Sequence, residues 1–373
     1  MPIYLDSAAT TPVLPEASQV AFEVMTEGYG NPSSLYTAGQ DAAARLKQNR
    51  CAVAARLGCP PDTLIFTSGG TEGNNWALFS GARLAARHGK HLITTAVEHA
   101  AVLEPIKELE RAGWSVTRLR PDRSGRITVA DFCAALRPET SLVSIMLVNN
   151  ETGVLFPVGD CARRAKERNP QLLFHTDAVQ GFLQVPFTPQ TLDVDLLTIS
   201  GHKIGAPKGI GALYIKKGLR LSPLLFGGGQ ESGLRPGTEP TAQAAALAAA
   251  CNAWDESRPR QVAETRLVFL SALATVPGLE VISAGDAPHI CAVSLPGYPS
   301  EMLVRALSDR GIYLSSGSAC HRGKPSHVFA AMRLDKRILA GMLRISLSPA
   351  NTPADATLLA DALRTITAER VSL

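Results

Sequence analysis

The chain has 373 residues, 45% of them hydrophobic, and 37 basic against 33 acidic side chains give a formal net charge of +4. This length exceeds one ordinary core, so two domains are expected. The charges are spread evenly and no apolar run approaches the roughly 18 residues of a membrane helix, which excludes a basic nucleic-acid surface and a membrane span. Residues 1–6 lack a signal-peptide pattern, so we expect a soluble, cytosolic protein.

Short β-rich runs alternate with helical stretches through the first part of the chain. The predicted strands are 64–67, 92–95, 116–119, 142–148, 172–176, 196–199 and 212–215. Helical spacing of apolar residues predicts helices at 75–87, 100–112 and 158–168. This alternation predicts an α/β fold, with a mostly parallel seven-stranded sheet flanked by helices.

The last third of the chain has a different pattern. An alanine-rich helix at 241–254 leads into a polar segment at 255–260, where we place a domain boundary. Strands at 292–295 and 343–347, with helices at 300–310 and 353–366, indicate a smaller α+β domain. The predicted units are an N-terminal segment that packs with the small domain (1–15), a large domain (16–256) and a small domain (257–373).

The cysteines are odd in number and include no Cys-x-x-Cys pair, which argues against a disulfide framework and a zinc ribbon. We therefore expect reduced thiols and no metal centre. Cys320 differs from the other six, which lie in apolar or helical stretches, because it follows a Ser/Gly-rich run and precedes basic residues. Such surroundings favour the reactive thiolate. The other cysteines are Cys51, Cys59, Cys133, Cys161, Cys251 and Cys291.

Polar clusters follow the carboxyl ends of the predicted strands, where ligands bind in open α/β sheets. These clusters are 68–71, 98–99, 149–150, 175–177 and 200–203. The last one ends in Lys203. A lysine just beyond a buried strand can lose its charge and become a nucleophile, although most such lysines are ordinary solvated residues.

Three of these clusters together match the needs of pyridoxal phosphate, namely a Schiff-base lysine, a carboxylate for the ring nitrogen and a phosphate cradle. Gly69 and Gly70 form either the cradle or an ordinary turn that Thr71 caps. Asp177 either balances a ring cation or serves as an N-cap or in a structural ion pair, and His99 either serves the site or caps the next helix. The glycine fingerprint of a nicotinamide site is missing.

On its motifs, the chain resembles the cysteine desulfurases of the NifS/IscS type, which are pyridoxal-phosphate enzymes of fold type I related to class V aminotransferases. The resemblance covers nearly the whole chain. Its motifs are IYLDSAATTP (3–12), TSGGTE (67–72), EH (98–99), VNNETG (148–153), DAVQ (177–180), SGHK (200–203), RPGTE (235–239), SSGSAC (315–320) and RISL (344–347).

The resemblance implies a role for each matching residue. Lys203 holds the cofactor as a Schiff base and removes the α-proton, while Asp177 pairs with the ring nitrogen. Gln180 bonds the ring hydroxyl, and His99 stacks on the ring and exchanges protons. The implied phosphate contacts are Gly70, Thr71, Ser200, His202 and, from a second subunit, Thr238. The implied substrate contacts are Asn150 and Arg344.

The implied reaction takes sulfur from L-cysteine and leaves L-alanine and a persulfide on Cys320. A homodimer is implied, and the sulfur passes to an iron–sulfur scaffold protein or a tRNA thiolation enzyme, with no direct contact to nucleic acid or membrane. The segment from Cys320 to Ser326 is about two residues shorter than in common relatives. This shortening leaves the acceptor open. Pro236 and Ser348 also depart from the usual pattern, but neither removes a functional group, so we expect changes of fit and no loss of activity.

Other functions remain possible at this point. A selenocysteine lyase or another class V pyridoxal-phosphate enzyme would share Lys203 and Asp177, and the Cys320 motif argues against an aminotransferase. A non-catalytic docking protein would not need Lys203, Asp177, His99, Gln180 and Cys320 together.

Overall fold

The computed structural model describes residues 2–316 and 326–371. Its strands are β1 (Ile3–Tyr4), β2 (Leu64–Thr67), β3 (His91–Thr95), β4 (Ser115–Leu119), β5 (Thr140–Ser144), β6 (Leu173–Asp177), β7 (Leu196–Ser200), β8 (Gly211–Ile215), β9 (Glu280–Ser283), β10 (Ile290–Ser294), β11 (Ile312–Tyr313) and β12 (Met342–Ser346). Its helices are α1 (Pro15–Thr26), α2 (Thr37–Leu57), α3 (Gly70–Ala85), α4 (Ala100–Arg111), α5 (Val129–Ala135), α6 (Val158–Arg168), α7 (Thr241–Ala253), α8 (Ser257–Leu273), α9 (Ser300–Ser308), α10 (His327–Ala331), α11 (Lys336–Ala340) and α12 (Pro353–Val371).

A seven-stranded sheet in the order β2-β8-β7-β6-β5-β3-β4 forms the centre of the fold. Neighbouring strands pair in parallel from β7 to β4, and β8 runs antiparallel to both of its neighbours, β2 and β7. The mostly parallel sheet that the sequence predicts is therefore confirmed. Since only β8 is reversed, the loops after β2, β3, β5, β6 and β7 leave the sheet at the same edge.

Helices cover the sheet and bury its apolar side chains. The main core contains Phe66, Val143, Phe174 and Ile199, all of them almost fully buried. The alanine-rich α7 packs against α1 and α2, because its small side chains allow close approach of the helices. Across residues 2–316 and 326–371, none of the helices combines the length and the hydrophobicity that crossing a membrane requires.

A second core lies in the C-terminal part of the chain. Strand β10 pairs antiparallel with β9 and β12, and Phe269, Leu343 and Leu363 are buried together. The N-terminal segment joins this core through Leu5, and β1 pairs in parallel with β11. The domain limits at residues 15 and 256 stay a prediction.

Two predicted elements differ from the structure in instructive ways. The helix predicted at 75–87 begins at Gly70, because a glycine pair that resembles a loop forms its first turn. The strand predicted at 142–148 ends at Ser144. Its apolar continuation is buried, but Val148 forms an isolated bridge with Leu155 instead of extending the sheet.

His175 provides a test of this buried core by pH. It lies fully buried in β6 between the hydroxyls of Ser144 and Thr198, at 2.9 and 3.2 Å. Burial lowers its pKa from 6.5 to about 3. Below pH 6.5 the imidazole of His175 therefore binds a proton in the unfolded chain but stays neutral in the folded one. The free energy of unfolding falls as the pH falls from 6.5 towards 3.

This group contributes about 1.4 kcal/mol of that loss per pH unit. We expect His175→Asn, which keeps a polar partner for Ser144 but does not titrate, to show a shallower pH dependence by about that amount. Urea unfolding of both proteins between pH 7 and 4.5, at equal cofactor loading, measures the two slopes. Parallel curves would show that His175 is not the titrating group.

Candidate active site

A cavity of about 270 Å³ opens at the edge of the sheet where the parallel strands end. Most of the residues that the sequence analysis singled out lie in its wall. Those residues are Gly70, Thr71, His99, Asn150, Asp177, Gln180, Ser200, His202, Lys203 and Arg344. The wall also includes Ala8, Ala9 and Asn74, which the sequence analysis did not single out.

The turn between β2 and α3 presents a helix N-terminus to this cavity. Gly69 has φ +149°, which side chains rarely allow, and α3 begins at Gly70. A Cβ at Gly70 would lie 2.9 Å from Cγ2 of Val179, so a side chain would displace its neighbour. The first N–H groups of a helix have no acceptor within the helix, and the helix dipole adds positive potential there. The wall at Gly70 and Thr71 therefore suits an anion.

Asp177 ends β6 with its carboxylate held in place from two directions. One oxygen accepts the amide N–H of Val179 at 2.9 Å, and the other accepts Nδ2 of Asn74 at 2.6 Å. Burial raises the pKa of Asp177, while these hydrogen bonds and the nearby His99 and Lys203 act to lower it. A cation placed against this buried carboxylate would gain strongly from its charge.

Lys203 ends a short 3-10 turn, Gly201–Lys203, directly after β7. Its Nζ donates to the carbonyl oxygens of Ala8 at 2.7 Å and Ala9 at 2.8 Å. Thr11 binds the same turn, since its hydroxyl donates to the His202 carbonyl and accepts the Gly205 amide N–H. The N-terminal segment therefore holds the lysine at the cavity.

Both histidines of the cavity are shifted towards the neutral form. Burial is the largest cause of the lowered pKa of His99, and it lowers the pKa of His202 from 6.5 to about 4. Nδ1 of His99 accepts the amide N–H of Ala101 and so caps α4. His99 therefore caps a helix and also lines the cavity. Its neutral ring carries the proton on Nε2 and can exchange protons only there.

Arg344 brings a guanidinium from β12 to the same cavity. It donates from Nη1 to the Asn150 carbonyl at 2.9 Å and from Nη2 to Oδ1 of Asp6 at 2.8 Å. Among the described residues its buried Nε has no hydrogen-bond partner. A guanidinium has five N–H donors, so Arg344 retains donors for a carboxylate ligand.

Gln180 also lines the cavity, and both polar atoms of its side-chain amide already have hydrogen-bond partners. Its Nε2 donates to the Ala8 carbonyl at 2.9 Å, and its Oε1 lies 3.2 Å from Nε2 of His289. His289 is buried, and burial lowers its pKa to about 3. His289 stands in none of the sequence motifs, so no sequence signal marks it as a neighbour of the site.

One predicted site residue is not among those that line this cavity. Thr238 is exposed and does not line the cavity. Its side chain is therefore accessible to another copy of the chain. Cys320 lies outside the described residues, so its catalytic role stays a prediction.

The comparisons with known proteins agree with one another. The family model "Aminotransferase class-V" matches residues 3–359. "Cysteine desulfurase 2" of Trichormus variabilis is 43% identical over 361 residues, which are 95% of this chain and 90% of that protein. A solved "NIFS-LIKE PROTEIN" matches with a TM-score of 0.93 and 34% identity over 99% of this chain and 100% of that one. The chain belongs to the cysteine desulfurases of the class V aminotransferase family.

A second solved structure, titled "SspA in complex with cysteine", has a TM-score of 0.83 and 34% identity, over 94% of this chain and all of that one. The shared architecture is that of pyridoxal-phosphate enzymes of fold type I, and the family depends on this cofactor. The fold class and the cofactor that the sequence predicts are thus confirmed.

The cavity fits pyridoxal phosphate by its own chemistry. It combines an amine on Lys203, the buried carboxylate of Asp177 and a helix N-terminus where a side chain at position 70 would displace Val179. These are the three groups that the cofactor requires for its aldehyde, its ring nitrogen and its phosphate. The residues that would hold the phosphate are Gly70, Thr71, Ser200 and His202.

Proposed function

We propose that this protein is a cysteine desulfurase that converts L-cysteine to L-alanine and leaves a persulfide on Cys320. The observation that carries the proposal is the joint presence of Lys203, Asp177 and the N-terminus of α3 in one cavity. The chain that forms this cavity is 43% identical to a cysteine desulfurase over 95% of its length.

The chain's own residues divide the work in this proposal. When bound, pyridoxal phosphate supplies an electron-withdrawing ring that makes the α-proton of the amino acid acidic. Asp177 holds the positive charge of the ring nitrogen, and Arg344 binds the substrate carboxylate. With the cofactor bound, Lys203 Nζ would take the α-proton of the substrate. His99 can give or take a proton at Nε2, because Nδ1 is committed to Ala101.

The sulfur transfer balances without an added oxidant. The thiolate of Cys320 attacks the substrate sulfur, a sulfur–sulfur bond forms, and the carbon–sulfur bond of the substrate breaks. The electron pair of the broken bond remains on carbon and is protonated, which gives alanine. One L-cysteine and one thiol thus become one L-alanine and one persulfide.

The role of Cys320 is tested by replacing it with alanine. We expect Cys320→Ala to keep the visible absorption of the bound cofactor and to lose sulfide and alanine production from L-cysteine by at least about a hundredfold. Cys51→Ala is the matched control, since Cys51 is an exposed thiol on α2 and should leave turnover unchanged. Normal turnover of L-cysteine by Cys320→Ala would exclude the persulfide step. Full activity of Cys320→Ala on L-selenocysteine would indicate a selenocysteine lyase.

We also propose a homodimer, which large exposed apolar side chains support. Tyr29 and Leu35, between α1 and α2, are 78% and 90% exposed, and Phe226 is 83% exposed in the segment that precedes Thr238. Monomeric proteins rarely expose large contiguous apolar patches, and we propose that a partner surface covers these side chains. In such a dimer Thr238 would complete the phosphate site of the other subunit.

Sedimentation analysis tests this interface. We expect the wild-type protein to have twice the mass of its 39.5 kDa chain, and Leu35→Glu to weaken the dimer by at least about tenfold in dissociation constant. Leu358→Glu on α12 is the control, because Leu358 is 52% exposed at a different place. A monomeric wild type, or a Leu35→Glu dimer as tight as the control, would contradict the proposed interface.

The sulfur acceptor and the compartment complete the proposal. We infer a cytoplasmic protein, because the six cysteines among the described residues are free thiols, as is usual in a reducing compartment. The acceptor is an iron–sulfur scaffold protein or a tRNA thiolation enzyme; the name "Cysteine desulfurase IscS" of a relative from Methanosarcina thermophila, 39% identical over 362 residues, supports the first. Transfer of labelled sulfur from the loaded enzyme to each purified acceptor distinguishes the two.

A further inference from the structure

Glu72 places a carboxylate in the first turn of α3, directly beside the anion-binding wall. One of its oxygens accepts the amide N–H of Ser68 at 2.9 Å. A carboxylate at this position stabilises a helix, because it interacts with the positive end of the dipole. The same negative charge opposes a phosphate that binds at Gly70 and Thr71, so an uncompensated Glu72 would weaken the site.

Arg235 meets this carboxylate with two parallel hydrogen bonds. Its Nε donates to one oxygen of Glu72 at 2.8 Å and its Nη2 to the other at 3.1 Å. The two side chains are 20% and 13% exposed, so solvent screens the pair only partly. Burial raises the pKa of Glu72, but the hydrogen bonds from Arg235 and Ser68 outweigh it and lower that pKa, so the carboxylate stays charged.

A second ion pair fixes the segment that carries Arg235. Arg50 donates to both oxygens of the Glu231 carboxylate, at 2.6 and 2.8 Å, and the Phe66 amide N–H donates to the same group at 3.1 Å. The backbone of Glu231 has φ 49°, a left-handed conformation that favours glycine, and these contacts hold it there. Arg235 is therefore presented to Glu72 by an anchored loop.

We propose that Arg235 is a positioning residue for the cofactor phosphate, acting by neutralising Glu72 so that the N-terminus of α3 is free to bind a dianion. The inference rests on the proposed function, since it assumes a phosphate at Gly70 and Thr71. It extends that function by assigning a role to Arg235, which affects phosphate binding only by neutralising the charge of Glu72.

A double-mutant cycle on the full-length protein tests the proposal through cofactor affinity. The dissociation constants of pyridoxal phosphate and of pyridoxal, which lacks the phosphate, are measured by absorbance for the wild type, Arg235→Gln, Glu72→Gln and the double variant. We expect Arg235→Gln to weaken pyridoxal phosphate by about tenfold and pyridoxal by less than about twofold. Glu72→Gln should not weaken either ligand, and the double variant should return to within about threefold of the wild type.

Other outcomes overturn the inference in recognisable ways. A double variant as weak as Arg235→Gln would show that Arg235 acts by shaping its loop, and equal weakening of pyridoxal would show a general structural defect. Arg83→Gln is the control, because Arg83 lies at the other end of α3 and donates to Ser222. A wild type that fails to bind pyridoxal phosphate would instead reject the proposed function itself.

Discussion

Replacing Lys203 with alanine is expected to remove the visible absorption of the bound cofactor and to reduce turnover of L-cysteine by at least about a thousandfold. In the proposed function, this side chain supplies both the amine that bonds the cofactor aldehyde and the base for the α-proton. No nearby group replaces it within the described wall of the cavity, where the other nitrogen bases, His99 and His202, have lowered pKa values because of burial.

Two further variants separate the chemical role of Lys203 from its structural role. Lys203 also donates to the Ala8 and Ala9 carbonyls, so Lys203→Ala loosens the N-terminal segment as well. Lys203→Arg keeps donors for both carbonyls, yet its guanidinium stays protonated and forms no Schiff base at neutral pH. We expect it to be as inactive as Lys203→Ala while unfolding more like the wild type. Lys208→Ala, at an exposed lysine on the following loop, should retain both absorption and activity.

Asp177→Asn is expected to lower kcat by about a thousandfold, equivalent to about 4 kcal/mol of transition-state stabilisation, while the cofactor still binds. The substitution preserves the shape of the side chain and removes its charge. The carbonyl oxygen of the introduced amide can still accept the Val179 amide N–H. The Asn74 amide can rotate to offer its Oδ1, which has no partner among the described residues, to the introduced NH₂ group. The ring nitrogen would then lose its anionic partner and bind protons less readily.

The measurement for this variant is kcat together with the pH titration of the cofactor absorption. We expect the apparent pKa of the bound chromophore to fall in Asp177→Asn, because the protonated form has lost its counter-charge. Asn74→Ala is the matched control, since it removes one hydrogen bond to Asp177 but leaves the charge, and it should lower kcat by no more than about tenfold. An Asp177→Asn enzyme with near-normal kcat would reject the assigned role.

Much of the fold was accessible from the sequence because the buried strands are short β-rich runs bounded by polar residues. The strand at 64–67 matches the structure residue for residue, and the one predicted at 196–199 ends one residue early. The helix at 158–168 is also found as predicted. Strand ends were less secure, since the apolar residues that follow Ser144 stay buried in the main core after the strand has ended, and two of them, Met146 and Val148, line the cavity.

The site could be predicted in part from the sequence for a related reason. Polar residues at the ends of parallel strands converge at one edge, so Asp177 and Lys203 could be brought together by topology alone. The contact between the N-terminal segment and Lys203 could not be predicted in this way. Its carbonyl groups are 194 and 195 residues away from Lys203 in the chain, and main-chain groups are the same at every position of a sequence. Asn74 had a usable signal, since it stands one helical turn after Gly70 and therefore faces the same way.

The central claim is that sulfur leaves L-cysteine as a persulfide while the carbon skeleton becomes alanine. A single turnover without reductant tests it most directly, with alanine quantified and the Cys320 peptide examined by mass spectrometry. The proposal predicts about one alanine per active subunit and one added sulfur atom on Cys320. Release of pyruvate and ammonia with an unmodified Cys320 would contradict it.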